Sequence, residues 1–179
     1  MVIVTDKNRL NHLESRAKIN KSLKNHFFYG GREWPYKHVH PRIIAEAFLS
    51  DPKTGDLKDY KIHCFNGKPV FLQVIGNRNL KNHTGNQMFY TFEWKNAGWT
   101  FGDYPPYEQD IPRPDNLEEL YEIARKLSSN LKYVRVDLYD INNKIYFGEL
   151  TLLPNSGFYA YHNGFTRKTD EMLGRYLKL

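Results

Sequence analysis

The sequence predicts an α+β fold, an antiparallel sheet with packed helices, on three observations. Two stretches, 59–77 and 133–152, alternate apolar and polar residues on either side of short Asn-containing turns, the pattern of half-buried hairpins. Between them, Leu117, Leu120, Ala124, Leu127 and Leu131 recur at helical spacing. At 179 residues the chain is long enough to bury about 70% of its unfolded surface as one domain, without disulfide or metal staples.

Taken in order, VIVT reads as a short strand. Arg9 to His26 reads as a helix with Leu10, Leu13, Ala17, Ile19 and Leu23 as its apolar positions. FFYGGREWPYKHVHP breaks regularity with paired Gly and two Pro, and its aromatics predict a packed loop. RIIAEAFL, after Pro41, has the β-branched density of a buried strand, and DPKTGD is a turn. DYKIHCF, an NGK turn and PVFLQVIG form the first hairpin. From Asn79 to Pro114, QMFYTFEW is a candidate strand, whereas GDYPPYEQDIPRPD carries too much proline for regular structure. Asn116 opens a helix at capping-box spacing from Glu119. KYVRVDLYD and KIYFGELTLL form the second hairpin across INN, and TDEMLGRYLKL is a terminal helix capped by Thr169 or Asp170.

Composition removes several classes. With 40% hydrophobic and 15% aromatic residues the chain is too rich in core formers to be disordered. No apolar run approaches 18 residues and the opening MVIVTDKNRL lacks the apolar core of a signal peptide, so a cytoplasmic protein without a transmembrane segment is expected. A single cysteine, Cys64, rules out a disulfide framework or multi-cysteine metal site and reads as a small buried hydrophobe. The net charge of +6 suits an anionic partner: nucleic acid, membrane headgroups, nucleotides or acidic polymers. The basic residues are dispersed and no nucleic-acid module is present, so nucleic acid is not expected.

Alternation in YVRVDLY puts Arg135, Asp137 and Tyr139 on one strand face, and IYFGELT returns Glu149 and Thr151 toward them. Two carboxylates near the end of a hairpin supply the hard oxygen donors that Mg²⁺ takes, with water and phosphate completing its shell. Arg135 between them suits phosphoryl oxygens. A solvated cross-strand Arg–Glu pair flanked by Asp explains the same residues. Register decides between them. A two-residue Asn142–Asn143 turn pairs Ile141 with Lys144 and sets Asp137 opposite Gly148, turning Glu149 away, whereas a three-residue connection sets Asp137 opposite Glu149. Chelation requires the second register or a β-bulge of the same effect, so a three-residue or bulged turn is expected. Glu46 inside RIIAEAFL needs a cationic partner or a polar ligand if buried, and Asp59, Lys61 and Arg78 read as an ion pair or a phosphate contact on the first hairpin.

In combination, RIIAEAFL, DYKIHCFNGKPVFLQVIGNRN, VRVDLYDINNKIYFGELTLLPNSG and the closing D…LG…L resemble the teichuronopeptide-type (TupA-like) branch of the ATP-grasp superfamily, over nearly the whole chain. RVDLY followed by GELT is similar to the superfamily signature Arg-x-Asp and then Glu-x-Asn.

The resemblance implies one ATP-grasp-like domain over 1–179, with a partial N-terminal subdomain of about 1–45 and a C-terminal subdomain of about 46–179. It implies an ATP- and Mg-dependent carboxylate–amine ligase, or its C-terminal catalytic portion, working through an acyl phosphate in cell-surface polymer biosynthesis. By matched position, Glu46, Ala47 and Leu49 form the adenine-side hinge and Asp59 approaches the ribose. Lys61 and Arg78 contact phosphates or substrate and Arg135 steadies the acyl phosphate. Asp137 and Glu149 hold magnesium with Thr151 or Asn155, and Glu46, Asp59, Asp137 and Glu149 are expected in one cleft. Thr151 stands where the signature prefers Asn, and Asn155 where Gly is usual. The family pattern also has a lysine and a glycine-rich loop before the VIVT strand, so the reading is of a fold lacking its usual N-terminal portion. Weak activity of the chain alone, and a complementing subunit for the phosphate loop, are expected. A non-catalytic nucleotide- or polymer-binding domain and a polysaccharide-biosynthesis glycosyltransferase are the alternatives, the latter requiring a parallel sheet.

Overall fold

Five strands form one antiparallel sheet in the computed structural model, which describes residues 1–52, 55–79, 82–158 and 164–178. They are β1 Asp59–Phe65, β2 Lys68–Asn79, β3 Thr84–Thr91, β4 Tyr133–Ile141 and β5 Lys144–Thr151, in the order β3-β2-β1-β4-β5. Both predicted hairpins are present, and β1 and β4 join them along an antiparallel seam. Asn66 and Gly67 turn the first hairpin with φ of 50° and 75°, the left-handed pair that matches strand twist. QMFYT of the candidate third strand lies in β3.

Alternation divides the sheet into two faces. Tyr60, Ile62, Cys64, Leu72, Val74, Met88, Tyr90, Val134, Val136 and Leu138 build the main core on one face. Helix α3, Leu117–Ser128, which follows the N-terminal α1 (His12–Leu23) and α2 (Phe27–Gly31), packs there through Leu117, Leu120 and Ala124. Each such Leu contributes about 1.5–3 kcal/mol relative to exposure. The stripe departs from expectation at its end: Leu127 is exposed and Ser128 is buried instead, its hydroxyl donating to the Arg125 carbonyl at 3.3 Å. The capping box is not formed either, since Asn116 sits at φ −102°, ψ 28°, and makes no side-chain cap bond. Cys64 is fully buried, as expected.

The other face carries Asp59, Lys61, His63, Phe71, Gln73, Phe89, Arg135 and Asp137. Its aromatic part, Phe71 and Phe89 with Phe101 and Phe165, is joined by Leu173 of α4, Arg167–Gly174. Thr166, not Thr169 or Asp170, caps α4: its Oγ1 accepts from the Thr169 N–H at 3.3 Å.

The described residues fall into two compact units, Met1–Leu49 with Asn155–Gly157, and Ser50–Pro154 with Phe158–Leu179. The sheet, α3 and α4 belong to the second. In the first, α1 forms where the spacing predicts it, but none of its residues is buried. FFYGGREWPYK is ordered by α2 and a 3-10 turn at Trp34–Tyr36, with Phe28 buried edge-on to Trp34. VIVT and RIIAEAFL are not strands. Their β-branched residues have local strand propensity, but among the described residues no neighbouring strand supplies a hydrogen-bonding partner, and Ile43, Ile44 and Phe48 are exposed. Lys53 and Thr54 of the DPKTGD turn lie outside the described residues.

Candidate active site

The second hairpin turns through two residues, Asn142 and Asn143, at φ 53° and 59°, and pairs Ile141 with Lys144. The three-residue turn is therefore not formed, because Asn tolerates the left-handed backbone that a tight turn requires. The register that chelation needs arises further along. Leu138 pairs with Phe147 and Asp137 with Glu149, so Gly148 is the extra residue of a β-bulge. A Cβ on Gly148 would lie 2.9 Å from the Asp137 carbonyl oxygen, so glycine permits the close approach.

Register across the sheet then lines up Gln73, Lys61, Asp137 and Glu149 in one row, with His63, Arg135 and Thr151 in the next. Asp137 is 1% exposed as a side chain and is met from both sides. Arg135 donates Nε to Oδ1 at 2.7 Å and Nη2 to Oδ2 at 2.8 Å, and the Lys61 ammonium donates to Oδ2. Arg135 Nη2 also reaches Glu149 Oε1 at 3.0 Å and Thr151 Oγ1 at 2.9 Å. Lys61 lies 2.9 Å from Asp59 Oδ2, and Arg78 Nη2 donates to the same oxygen at 3.1 Å. Three carboxylates thus share a face with three cations.

Burial pushes the Asp59 carboxyl above the ordinary carboxylate range; the Lys61 charge opposes the shift and that of Asp137 reinforces it. Its Oδ1 accepts no hydrogen bond among the described residues. Glu149, whose side chain remains 62% exposed, is also raised, by partial desolvation and then by the neighbouring Asp137 charge. His63 lies on the same strand face as Lys61. Its ring stacks on Phe71 at 4.3 Å, Nδ1 is 2.9 Å from the Tyr133 hydroxyl, and burial holds the imidazole well below its ordinary value. Tyr133, missed in the sequence, stands on the same face by alternation with Arg135.

Of the predicted residues, Asp59, Lys61, Arg78, Arg135, Asp137, Glu149 and Thr151 are brought together. Glu46, Ala47, Leu49 and Asn155 belong to the other unit. Glu46 and Ala47 are exposed on irregular backbone, so the buried strand carboxylate inferred from RIIAEAFL does not exist. Asn155 has φ 48°, the left-handed conformation that glycine and asparagine adopt most readily.

The donor chemistry fits magnesium in kind. Asp137 and Glu149 offer carboxylate oxygens side by side and Thr151 a hydroxyl. Among the described residues no group of three or more His, Cys, Asp or Glu is arranged to hold a metal by protein ligands alone.

The antiparallel sheet thus bears an Arg-x-Asp strand beside a Glu-x-Thr strand, with their charges on one face. The family model for TupA-like ATPgrasp proteins matches residues 1–178, and the chain belongs to that family. No curated protein and no solved structure gives a significant match.

Proposed function

We propose that the protein is an ATP-dependent carboxylate–amine ligase acting in the cytoplasm in cell-surface polymer assembly. A substrate carboxylate oxygen attacks the γ-phosphorus and ADP leaves; the amine nitrogen then attacks the acyl carbon, losing a proton as phosphate departs. The observation that carries the reading is the bulge at Gly148, which sets Glu149 opposite Asp137 on the face that holds Arg135, Lys61, Asp59 and Arg78.

In this reading Asp137 and Glu149 would hold Mg²⁺ with Thr151, or with Asn155 on the family resemblance alone, and the ion would supply charge neutralisation at the phosphate oxygens. Arg135 has its guanidinium fixed by Asp137, so it meets the developing charge of the transferring phosphoryl group without reorganising. Lys61 and Arg78 are held by Asp59, and in this reading they contact phosphate or substrate. Such chemistry is largely positioning and charge neutralisation, for which cations and carboxylates on rigid strands are sufficient in kind. The adenine-side roles of Glu46, Ala47 and Leu49 and the ribose contact of Asp59 rest on the family resemblance alone.

The non-catalytic alternative has its own observation: both Asp137 oxygens already accept from Arg135 or Lys61, so this carboxylate is satisfied at rest. The glycosyltransferase alternative loses its support, because all four strand pairings are antiparallel.

Calorimetry of Mg-ATP binding to the wild type and to Glu149→Gln tests the site. Glu149 is exposed enough that its substitution spares the fold. Weakening of about tenfold or more supports the metal role; unchanged affinity refutes it. Release of ADP by the 179-residue chain alone separates a self-sufficient ligase from one that needs a complementing chain, and Mg-ATP binding without turnover in the presence of any such chain favours the binding-domain reading.

A further inference from the structure

The charge of the protein is concentrated in one unit. Residues 1–49 hold nine Lys and Arg against four Asp and Glu, whereas the rest of the chain holds seventeen against sixteen. Helix α1 carries Arg16, Lys18 and Lys21 against the single carboxylate Glu14 and buries no residue. Its inward stripe, Ser15, Ile19 and Leu23, is only half-buried, so the helix gains little stability from packing within its own unit.

The same unit displays large apolar side chains. Leu13 is 84% exposed, Ile44 80% and Trp34 65%, with Phe27 and Phe48 also exposed. Lys37 holds its ammonium 4.3 Å from the Trp34 ring centroid, which keeps a cation beside the indole. Single exposed apolar residues are ordinary, but several within 49 residues that also hold five of the six net charges are not.

The two features together select the partner. A cationic surplus by itself suits any polyanion. Exposed aliphatic side chains such as Leu13 and Ile44 gain nothing from a hydrated polymer, and are stabilised at the boundary between headgroups and acyl chains. Tryptophan prefers that same depth, and Lys and Arg are drawn to the anionic lipid above it.

We propose that residues 1–49 form a docking surface for an anionic phospholipid bilayer, with Arg16, Lys18 and Lys21 supplying the electrostatic attraction and Trp34, Ile44 and Phe48 the apolar insertion. The proposal stands independently of the ligase reading.

Vesicle flotation of the full chain tests it, with phosphatidylcholine vesicles compared with vesicles of phosphatidylcholine and phosphatidylglycerol. Binding is expected to the anionic vesicles only, to fall away at about 1 M salt, where the screening length is about 3 Å, and to weaken about tenfold or more in Lys18→Glu/Lys21→Glu. Both lysines are exposed, so far-UV circular dichroism should not change. On anionic vesicles the tryptophan emission should shift to the blue in wild type and not in Trp34→Phe, which alters no charge. Equal binding to both vesicle types, no binding to either, or wild-type flotation of the double variant overturns the proposal. So does binding to soluble polyphosphate without flotation, which assigns the cations to a hydrated polymer. Concentration-dependent self-association without flotation also overturns it, by assigning the apolar surface to a second copy of the chain.

Discussion

Asp137 and Glu149 face each other directly across β4 and β5, although the hairpin that joins them turns through only two residues. Gly148, stepping out of the ladder, reconciles a tight turn with a shared carboxylate face.

Gly148→Ala should therefore cost about 1–3 kcal/mol, because the new Cβ would lie 2.9 Å from the Asp137 carbonyl oxygen and 3.1 Å from Tyr139 Cε2. Urea unfolding checks it. Deleting Gly148 should be milder, since Leu138–Phe147 and Asp137–Glu149 then become consecutive pairs and both carboxylates keep their face; a deletion that loses Mg-ATP binding while the chain stays folded contradicts this.

Lys61→Met should be among the most damaging single changes, at about 3–5 kcal/mol. It leaves Asp59 and Asp137, almost entirely buried, with the bridging ammonium removed. Adding Asp59→Asn should restore much of the loss, and a double-mutant cycle on unfolding free energies measures the coupling.

Stability should fall on acidification through His63. The folded protein holds this imidazole neutral well below the ordinary value of 6.5, through burial and then the charges of Arg135 and Lys61. The unfolded chain takes up a proton near 6.5, so the contribution is present above that pH and is lost as pH falls toward the depressed value, by at most about 1.4 kcal/mol per pH unit. Asp59, raised rather than lowered, works in the opposite sense: its contribution is present at low pH and is lost as pH rises through its elevated value. Unfolding at several pH values between neutral and about 5 in wild type and His63→Gln isolates the histidine. Parallel curves would refute it.

Cys64 should resist thiol reagents while the protein is folded. It is fully buried beneath α3, and desolvation pushes the thiol to about 11. Labelling by dithionitrobenzoate at pH near 8 should proceed only on unfolding in urea.

The parts legible in the sequence are those where local pattern and tertiary environment agree. Period-2 alternation and Asn-Gly identify β1 and β2, and the Leu117–Leu120–Ala124 stripe identifies α3. The same alternation places Arg135 with Asp137 before any coordinates are known. RIIAEAFL fails because strand propensity describes one chain whereas a strand needs two. The bulge is harder: a glycine inside a strand signals one, but only the opposite strand shows which residue steps out. His63 and Tyr133 carry strand-face information but no sequence sign that they meet, since their hydrogen bond spans the seam between hairpins.

That seam has a consequence for folding. The first hairpin contributes Asp59, Lys61 and Arg78, one positive charge in excess, and the second contributes Arg135, Asp137 and Glu149, one negative charge in excess. Lys61 and Asp137 are 76 residues apart. Each hairpin can close locally within about 1–10 μs, but neither half is electrically balanced until β1 zips against β4, a non-local step that must first meet the entropy of closing the intervening chain. The opposite excesses favour the correct edge-to-edge annealing over pairing of either hairpin with a copy of itself, where like charges would meet.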